Sequence, residues 1–115
     1  LFGGHGYDTS IYGVLNDLWK YNITTNRCTW VSGGNAVYQT GIYGTRGVPS
    51  DSNIPGARGF SVSWIDLNDS LWLFGGIGYV VSASGPLNDL WKYNITSNQW
   101  MWMSGSSLVN QEGEY

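Results

Sequence analysis

The sequence predicts an all-β chain built from repeated four-stranded antiparallel sheets. Three observations predict it: a composition rich in glycine and aromatic residues, an internal repeat, and four short segments of strand character within each repeat. No stretch shows the sustained period of an amphipathic helix, so we expect very little helix.

The composition favours β-structure and excludes two classes of partner. The 115 residues include 17 Gly, 7 Trp and 8 Tyr but only 3 Pro. Glycine suits tight turns, and aromatic side chains pack well on pleated sheets. The net charge is −3 and the five Lys and Arg residues are scattered, so we expect no nucleic-acid binding. No apolar run approaches the roughly 18 residues of a membrane-spanning helix, so we expect no direct membrane insertion.

The internal repeat has a period of 72 residues. Shifting the chain by this length superimposes residues 1–43 on 73–115 without a gap, and 26 of the 43 pairs are identical. The longest identical block is Leu15–Thr24, which matches Leu87–Thr96. A match of this length indicates a repeated structural unit. Because the chain begins and ends within a period, we expect a further repeat on each side.

Four strands, a to d, can be placed within one period. They cover about residues 58–66, 71–74, 89–93 and 100–103. The unbroken apolar run Leu-Trp-Leu-Phe of strand b suggests burial on both faces of the sheet. A meander with two apolar faces must stack on copies of itself, and radial stacking of four-stranded sheets produces a β-propeller.

The motifs resemble the kelch repeat. They are Leu-Trp-Leu-Phe-Gly-Gly at 71–76, Leu-Asn-Asp-Leu-Trp-Lys-Tyr at 87–93, Trp-x-Trp at 100–102 and, before strand a, Pro-Gly-Ala-Arg at 55–58. The period is longer than the usual kelch period of about 50 residues. The resemblance implies a propeller of four to eight blades, or roughly 290–580 residues. We therefore expect a segment of about one and a half kelch-type blades.

The repeat divides the chain into four parts. They are a partial blade with strands b–c–d at 1–34, a long interblade insertion at 35–57, a full blade with strands a–b–c–d at 58–106 and the start of the next insertion at 107–115. In such a meander the insertion and the b–c connections, predicted as long loops at about 5–16 and 77–88, emerge on one face of the propeller. The short a–b and c–d turns emerge on the other.

Residues present in both copies are assigned to the scaffold. The glycine pairs allow close approach of the backbone, and the repeated Trp and Tyr residues are predicted to form the core between blades. These residues are Gly3-Gly4 and Gly75-Gly76, Asp17 and Asp89, Trp19 and Trp91, Tyr21 and Tyr93, and Trp30 and Trp102.

The insertion is the candidate binding segment. Loops longer than about 12–15 residues are usually functional or disordered. Tyr38, Tyr43 and Arg46 offer aromatic and charged contacts to a protein or a carbohydrate. The alternative is a structural lid over the adjacent blade, which is favoured because Gln39, Gly41 and Tyr43 recur as Gln111, Gly113 and Tyr115.

Three sequons for N-glycosylation lie in the predicted short turns. Their acceptors are Asn22, Asn68 and Asn94. Kelch-like repeats often have Asp-Pro where this chain has Asn-Ile at 22–23 and 94–95, and proline there would block glycosylation. The alternative is that asparagine is simply a good turn former. The placement predicts a protein of the secretory pathway, extracellular or at the cell surface, with N-glycans on the face opposite the insertion.

The chain offers little for catalysis. Galactose-oxidase-like copper-radical oxidases also use kelch propellers, and this resemblance implies copper held by Tyr and His with a Cys–Tyr crosslink. The single histidine, His5, is replaced by Ile77 in the second copy, and a copper site needs several ligands. Cys28 stands in place of Trp100 and is predicted to be a small buried apolar residue. We expect no catalytic residue, metal or cofactor in this segment.

The leading hypothesis is a non-catalytic interaction or structural module of a secreted or cell-surface glycoprotein, with an extracellular fibre or matrix as a variant. Two alternatives stay open, because a propeller fold does not determine function. One is the propeller domain of a copper-radical oxidase, whose ligands would lie in other blades. The other is an intracellular kelch adaptor.

Overall fold

The computed structural model describes residues 1–81 and 83–113. These residues form eight strands and no helix, so none of them forms a helix long and apolar enough to cross a membrane. The first sheet contains β1 (Phe2–Tyr7), β2 (Tyr12–Asn22) and β3 (Arg27–Ser32). The second contains β4 (Arg58–Gly59), β5 (Val62–Ile65), β6 (Ser70–Val80), β7 (Ala83–Asn94) and β8 (Gln99–Ser104). All pairs are antiparallel, which confirms the all-β prediction.

The five strands of the second sheet form an antiparallel meander in chain order, in which β4 and β5 together take the place of one strand. β4 and β5 pair with successive parts of β6, then β7 pairs with β6 and β8 with β7. The interruption between β4 and β5 falls at Phe60, which has a φ of +59°. A bulky residue in this left-handed region is rare and breaks the regular ladder. The strands predicted at 71–74, 89–93 and 100–103 lie entirely within observed strands, and the one predicted at 58–66 is split.

The b–c connections are not the long loops that the sequence predicted. In residues 5–16, β1 runs to Tyr7 and β2 begins at Tyr12, so the turn is short. In residues 77–88, β6 runs to Val80 and β7 begins at Ala83. Pairing continues to the hairpin ends because each strand supplies a backbone partner for the other, despite glycines that disfavour strands. The prediction of two long b–c loops was wrong.

The glycine pairs form a bulge in each sheet. The register shifts between Phe2 and Gly4 and again between Phe74 and Gly76. Gly3 has a φ of +57°, and a Cβ there would lie 2.6 Å from the carbonyl oxygens of both Leu15 and Arg58. Only glycine fits this conformation and this close approach of β4 to β1.

The two sheets pack through unlike faces. The first sheet contributes Leu18, with Phe2 and Val31 beside it. The second contributes its other face, with Leu73, Trp91, Tyr93 and Trp100. Phe2 meets Trp100 edge to face, with ring centroids 5.4 Å apart. The first sheet therefore buries the face that carries Leu18, whereas the second buries the opposite face, which carries Trp91.

The open face of the first sheet carries Asp17, Trp19, Tyr21 and Trp30. Trp19, Tyr21 and Trp30 are 38, 49 and 54% exposed, whereas their repeat equivalents Trp91 and Tyr93 are 0 and 2% exposed. Cys28 is exposed on the same sheet, which contradicts its predicted burial, because no segment of the described chain covers this face.

The open face of the second sheet carries Phe74, Leu90 and Met103. Phe74 is 45% exposed, so strand b is buried on one face only, not on both as predicted. Phe74, Leu90 and Met103 occupy the repeat positions of Phe2, Leu18 and Val31, which are packed in the interface between the sheets.

Candidate functional site

The long connection 33–57 folds against the second sheet. Gly47 N donates to the carbonyl of Trp102 at 2.8 Å, and Ser50 N to that of Trp100 at 3.3 Å. Farther along, the Gln99 amide donates to Asp51 at 2.9 Å. The connection therefore covers the edge of β8, which would otherwise present unpaired backbone groups. It reaches the end of the sheet where the β7–β8 turn lies. The sequence predicted a position at the opposite end of the strands, with the b–c connections, so this part of the prediction was wrong.

A fully buried ion pair joins β4 to β7. Arg58 donates to both carboxylate oxygens of Asp89, with Nη1–Oδ1 2.6 Å and Nη2–Oδ2 2.9 Å, and both side chains are 0% exposed. The remaining capacity of Asp89 Oδ2 is used by Tyr43 Oη at 2.6 Å and Trp91 Nε1 at 2.7 Å. Arg58 also donates to the carbonyls of Gly56 and Gly75. A buried bidentate pair with its other hydrogen bonds made is the arrangement in which buried charges are tolerated.

The pKa values of this cluster follow from its geometry. Burial alone would raise the pKa of Asp89. The hydrogen bonds and the charge of Arg58, together with the hydrogen bonds from Tyr43 and Trp91, hold this pKa below its usual range. Burial first, and then the Asp89 carboxylate, raise the pKa of the Tyr43 hydroxyl. At neutral pH the carboxylate is therefore charged and the phenol stays protonated as its donor.

Acid should weaken the fold through Asp89. Because its pKa is lower folded than unfolded, its stabilising contribution is complete above the unfolded value of about 3.9 and is lost as the pH falls through the folded value. We expect the urea midpoint of the chain to fall as the pH drops below about 4, measured by circular dichroism. The variant Asp89→Asn should show a shallower slope, retaining the part due to Asp8 and Asp66, whose pKa values are also lowered. An equal slope in both proteins would contradict this assignment.

The three predicted binding residues make contacts within the chain. Tyr43 is half-buried, with its ring 4.8 Å from that of Trp91 and 5.2 Å from that of Trp102. Arg46 donates to the Gly105 carbonyl at 2.7 Å and lies 4.5 Å from the centre of the Trp102 ring. Tyr38 donates to the carbonyl of Tyr12 at 3.1 Å and packs on Tyr79, so it links the two sheets. These contacts favour the lid alternative, while partner binding stays a prediction. Tyr115, the repeat equivalent of Tyr43, lies outside the described residues.

The first sheet repeats the receiving half of this cluster. Trp19 Nε1 donates to Asp17 Oδ2 at 2.6 Å, as Trp91 does to Asp89. Trp30 and Gly33 stand at the positions of Trp102 and Gly105. Within residues 1–81 and 83–113, no arginine or tyrosine side chain donates to Asp17. The two copies therefore show the same site occupied in one sheet and open in the other.

The three sequon asparagines are exposed and lie in or beside short turns: Asn22 ends β2, Asn94 ends β7 and Asn68 lies in a turn. Asn22 Oδ1 accepts from the backbone N of Thr24 and Thr25, and Asn94 Oδ1 accepts from the backbone N of Thr96 and Ser97. In neither case does the amide nitrogen donate to another described residue. Asn68 lies in the β5–β6 turn, next to the β7–β8 turn, because Ser70 pairs with Asn94. At Asn22 and Asn94 the turn thus uses the amide oxygen and leaves the nitrogen, to which a sugar attaches, facing no partner in the described chain.

The described residues contain no group of three His, Cys, Asp or Glu side chains that could hold a metal. His5 packs on aromatic rings instead, 5.3 Å from Phe60 and 6.0 Å from Tyr12 between ring centroids.

Sequence reasoning missed the pairing of Arg58 with Asp89. Asp89 was assigned to the scaffold and Arg58 to the start of strand a, 31 residues earlier. A signal was available: an aspartate sits at the same place in both copies, between apolar residues of a strand, in a chain with only five Lys and Arg. A charge within an apolar strand requires a partner wherever that strand position is buried.

Comparison of the chain with models of known protein families and with curated protein sequences gives no match.

Proposed function

We propose that the chain is a non-catalytic interaction or structural module made of kelch-type β-propeller blades, from a secreted or cell-surface glycoprotein. The observation that carries the proposal is the packing of the two sheets through unlike faces, while each open face repeats the residues of a buried one. Such a head-to-tail contact leaves a site for another sheet at both ends, and it generates rings or open filaments. A ring is a propeller, and a filament is the fibre or matrix variant.

An open cleft on the second sheet supports continued stacking. It has a volume of about 680 Å³ and is bordered by Phe74, Asn88, Leu90 and Gly105, among others. In the first sheet the equivalent asparagine, Asn16, is 3% exposed and donates to the carbonyl of Pro55 at 3.4 Å. Residues near Pro55 therefore pack against Asn16 of the first sheet, whereas the equivalent position beside Asn88 of the second sheet is an open cleft.

The assignment to the secretory pathway rests on the three exposed sequons. They occupy short turns at one end of the strands, away from the buried interface between the sheets. Glycans there would leave stacking undisturbed. The exposed parts of Tyr38 and Arg46 remain the proposed contact for a protein or carbohydrate partner.

The glycoprotein proposal predicts a loss of mass on enzymatic removal of N-glycans from natural material, measured as intact mass. When the chain is produced in a eukaryotic secretory host, Asn94→Gln should remove one glycan. Thr96→Ala should remove the same glycan while keeping the Asn94 side chain, because the turn uses only the backbone N of Thr96. This pair separates the acceptor role of Asn94 from its role in the turn. An unchanged mass of natural material would refute the glycoprotein assignment.

A further inference from the structure

The open face of the first sheet is equivalent to a face of the second sheet that the connection 33–57 and β4 cover. In the second sheet, the connection and β4 place three side chains on this site: Tyr43 on Trp91 and Asp89, Arg46 on Trp102, and Arg58 on Asp89. These three anchors fall within residues 37–62. The first sheet holds all the receiving groups and, among the described residues, none of the anchors.

The receiving groups are already in position. The Trp19–Asp17 hydrogen bond is 2.6 Å, against 2.7 Å for Trp91–Asp89, so the carboxylate is held in the same way without its arginine. Trp30 pairs with Trp19 across the strands, as Trp102 does with Trp91. A preformed site loses little conformational freedom when a ligand binds.

Two further features fit the same occupant. Asp51 of the connection contacts Gln99, and the first sheet has Arg27 at that position, so another copy of Asp51 would meet a cation. The connection binds the β8 edge through the backbone carbonyls of Trp100 and Trp102. Backbone acceptors do not depend on the side chain, so Cys28 in place of Trp100 leaves them available.

We propose that the open face of the first sheet, formed by Asp17, Trp19 and Trp30 with Arg27 at its edge, binds the inter-sheet segment of another copy of the repeat. That segment carries the equivalents of Tyr43, Arg46, Asp51 and Arg58. The inference rests on the proposed stacking of repeats and goes beyond it by naming the segment and its anchors. The site recognises a peptide loop, closed in the second sheet by the backbone hydrogen bonds between Ile42 and Ile54. The loop supplies an arginine for the carboxylate and a tyrosine for the indole ring.

The test supplies the segment in trans. A synthetic peptide of residues 37–62 contains all the anchors and no tryptophan, so the emission of the chain reports on its own indoles. Titration should shift the emission to the blue, because Trp19 and Trp30 lose water, and calorimetry should give one peptide per chain. The variant Asp17→Asn should weaken binding by about 100-fold or more, because the bound arginine is left without its carboxylate. The peptide with Arg58→Met should lose a similar factor.

Matched controls keep the result interpretable. Lys20 is exposed and neighbours Trp19 along β2, on the opposite side of the strand, so Lys20→Met should bind the peptide like the unchanged chain. The melting temperature of the Asp17→Asn chain should lie within a few degrees of that of the unchanged chain, since Asp17 is only half-buried. Absence of binding at millimolar peptide, or equal binding by the Asp17→Asn chain, would overturn the proposal. Neither result would alter the mass measurement that tests the glycoprotein assignment.

Discussion

Replacing Asp89 by Asn should lower the free energy of unfolding by about 3–5 kcal/mol, because it leaves the guanidinium of Arg58 buried without a counter-charge. Both side chains are completely buried and joined by two hydrogen bonds, so water cannot replace the lost carboxylate. Urea unfolding followed by circular dichroism measures the change. Since small domains are stable by only about 5–15 kcal/mol, this loss is a large share of the total, and the urea midpoint should fall accordingly.

The repeat provides a control at the same position of the same strand. Asp17→Asn removes an identical side chain from an identical sequence context, but Asp17 is half-buried and has no arginine among the described residues. We expect a change of about 0.5 kcal/mol or less. Equal losses in the two variants would mean that the ion pair does not determine the effect.

A double replacement separates the charge from the space it fills. Arg58→Met with Asp89→Leu leaves no charge in the interior, so we expect it to regain part of the stability lost by either single change. Recovery would be incomplete, because Tyr43 and Trp91 lose the oxygen to which they donate. A double variant no more stable than Asp89→Asn would show that Asp89 contributes mainly through those two hydrogen bonds.

The strands could be predicted because they are specified locally. Each predicted segment has alternating or apolar residues bounded by turn residues, and the 72-residue offset fixes equivalent strands in both copies. The β-hairpin extensions could not be predicted in this way. Residues 77–80 and 83–88 include two glycines and a proline, and they are strands because two such segments pair with each other. Pairing between segments prevailed over weak local preference.

The site was less accessible to sequence reasoning than the strands. The identical blocks around Trp19 and Trp91 carry no information on which copy is covered, since burial depends on a connection that lies between them. The contact between Tyr43 and Asp89 joins residues 46 apart, and no periodic pattern reports a contact of that range. The recurrence of Tyr43 indicated a role in packing, but not its partner.

Replacing Trp91 by Ala should lower the free energy of unfolding by about 3–5 kcal/mol, as for other buried aromatic residues. The indole is 0% exposed, and its ring contacts those of Tyr43 and Trp100. Its removal leaves a cavity between the two sheets and deprives Asp89 of a donor. Urea unfolding again measures the loss, and the single transition of the unchanged chain should move to lower denaturant.

Trp19→Ala is the matched control, because it removes the same residue from the same ten-residue block. Trp19 is 38% exposed on the open face of the first sheet, so its loss opens no cavity and should cost about 1 kcal/mol or less. The contrast has a reason beyond burial itself: the indole stabilises the fold only where a connecting segment and a neighbouring sheet cover it. If Trp19→Ala were as destabilising as Trp91→Ala, the difference in burial between the two indoles would not determine their contribution to stability.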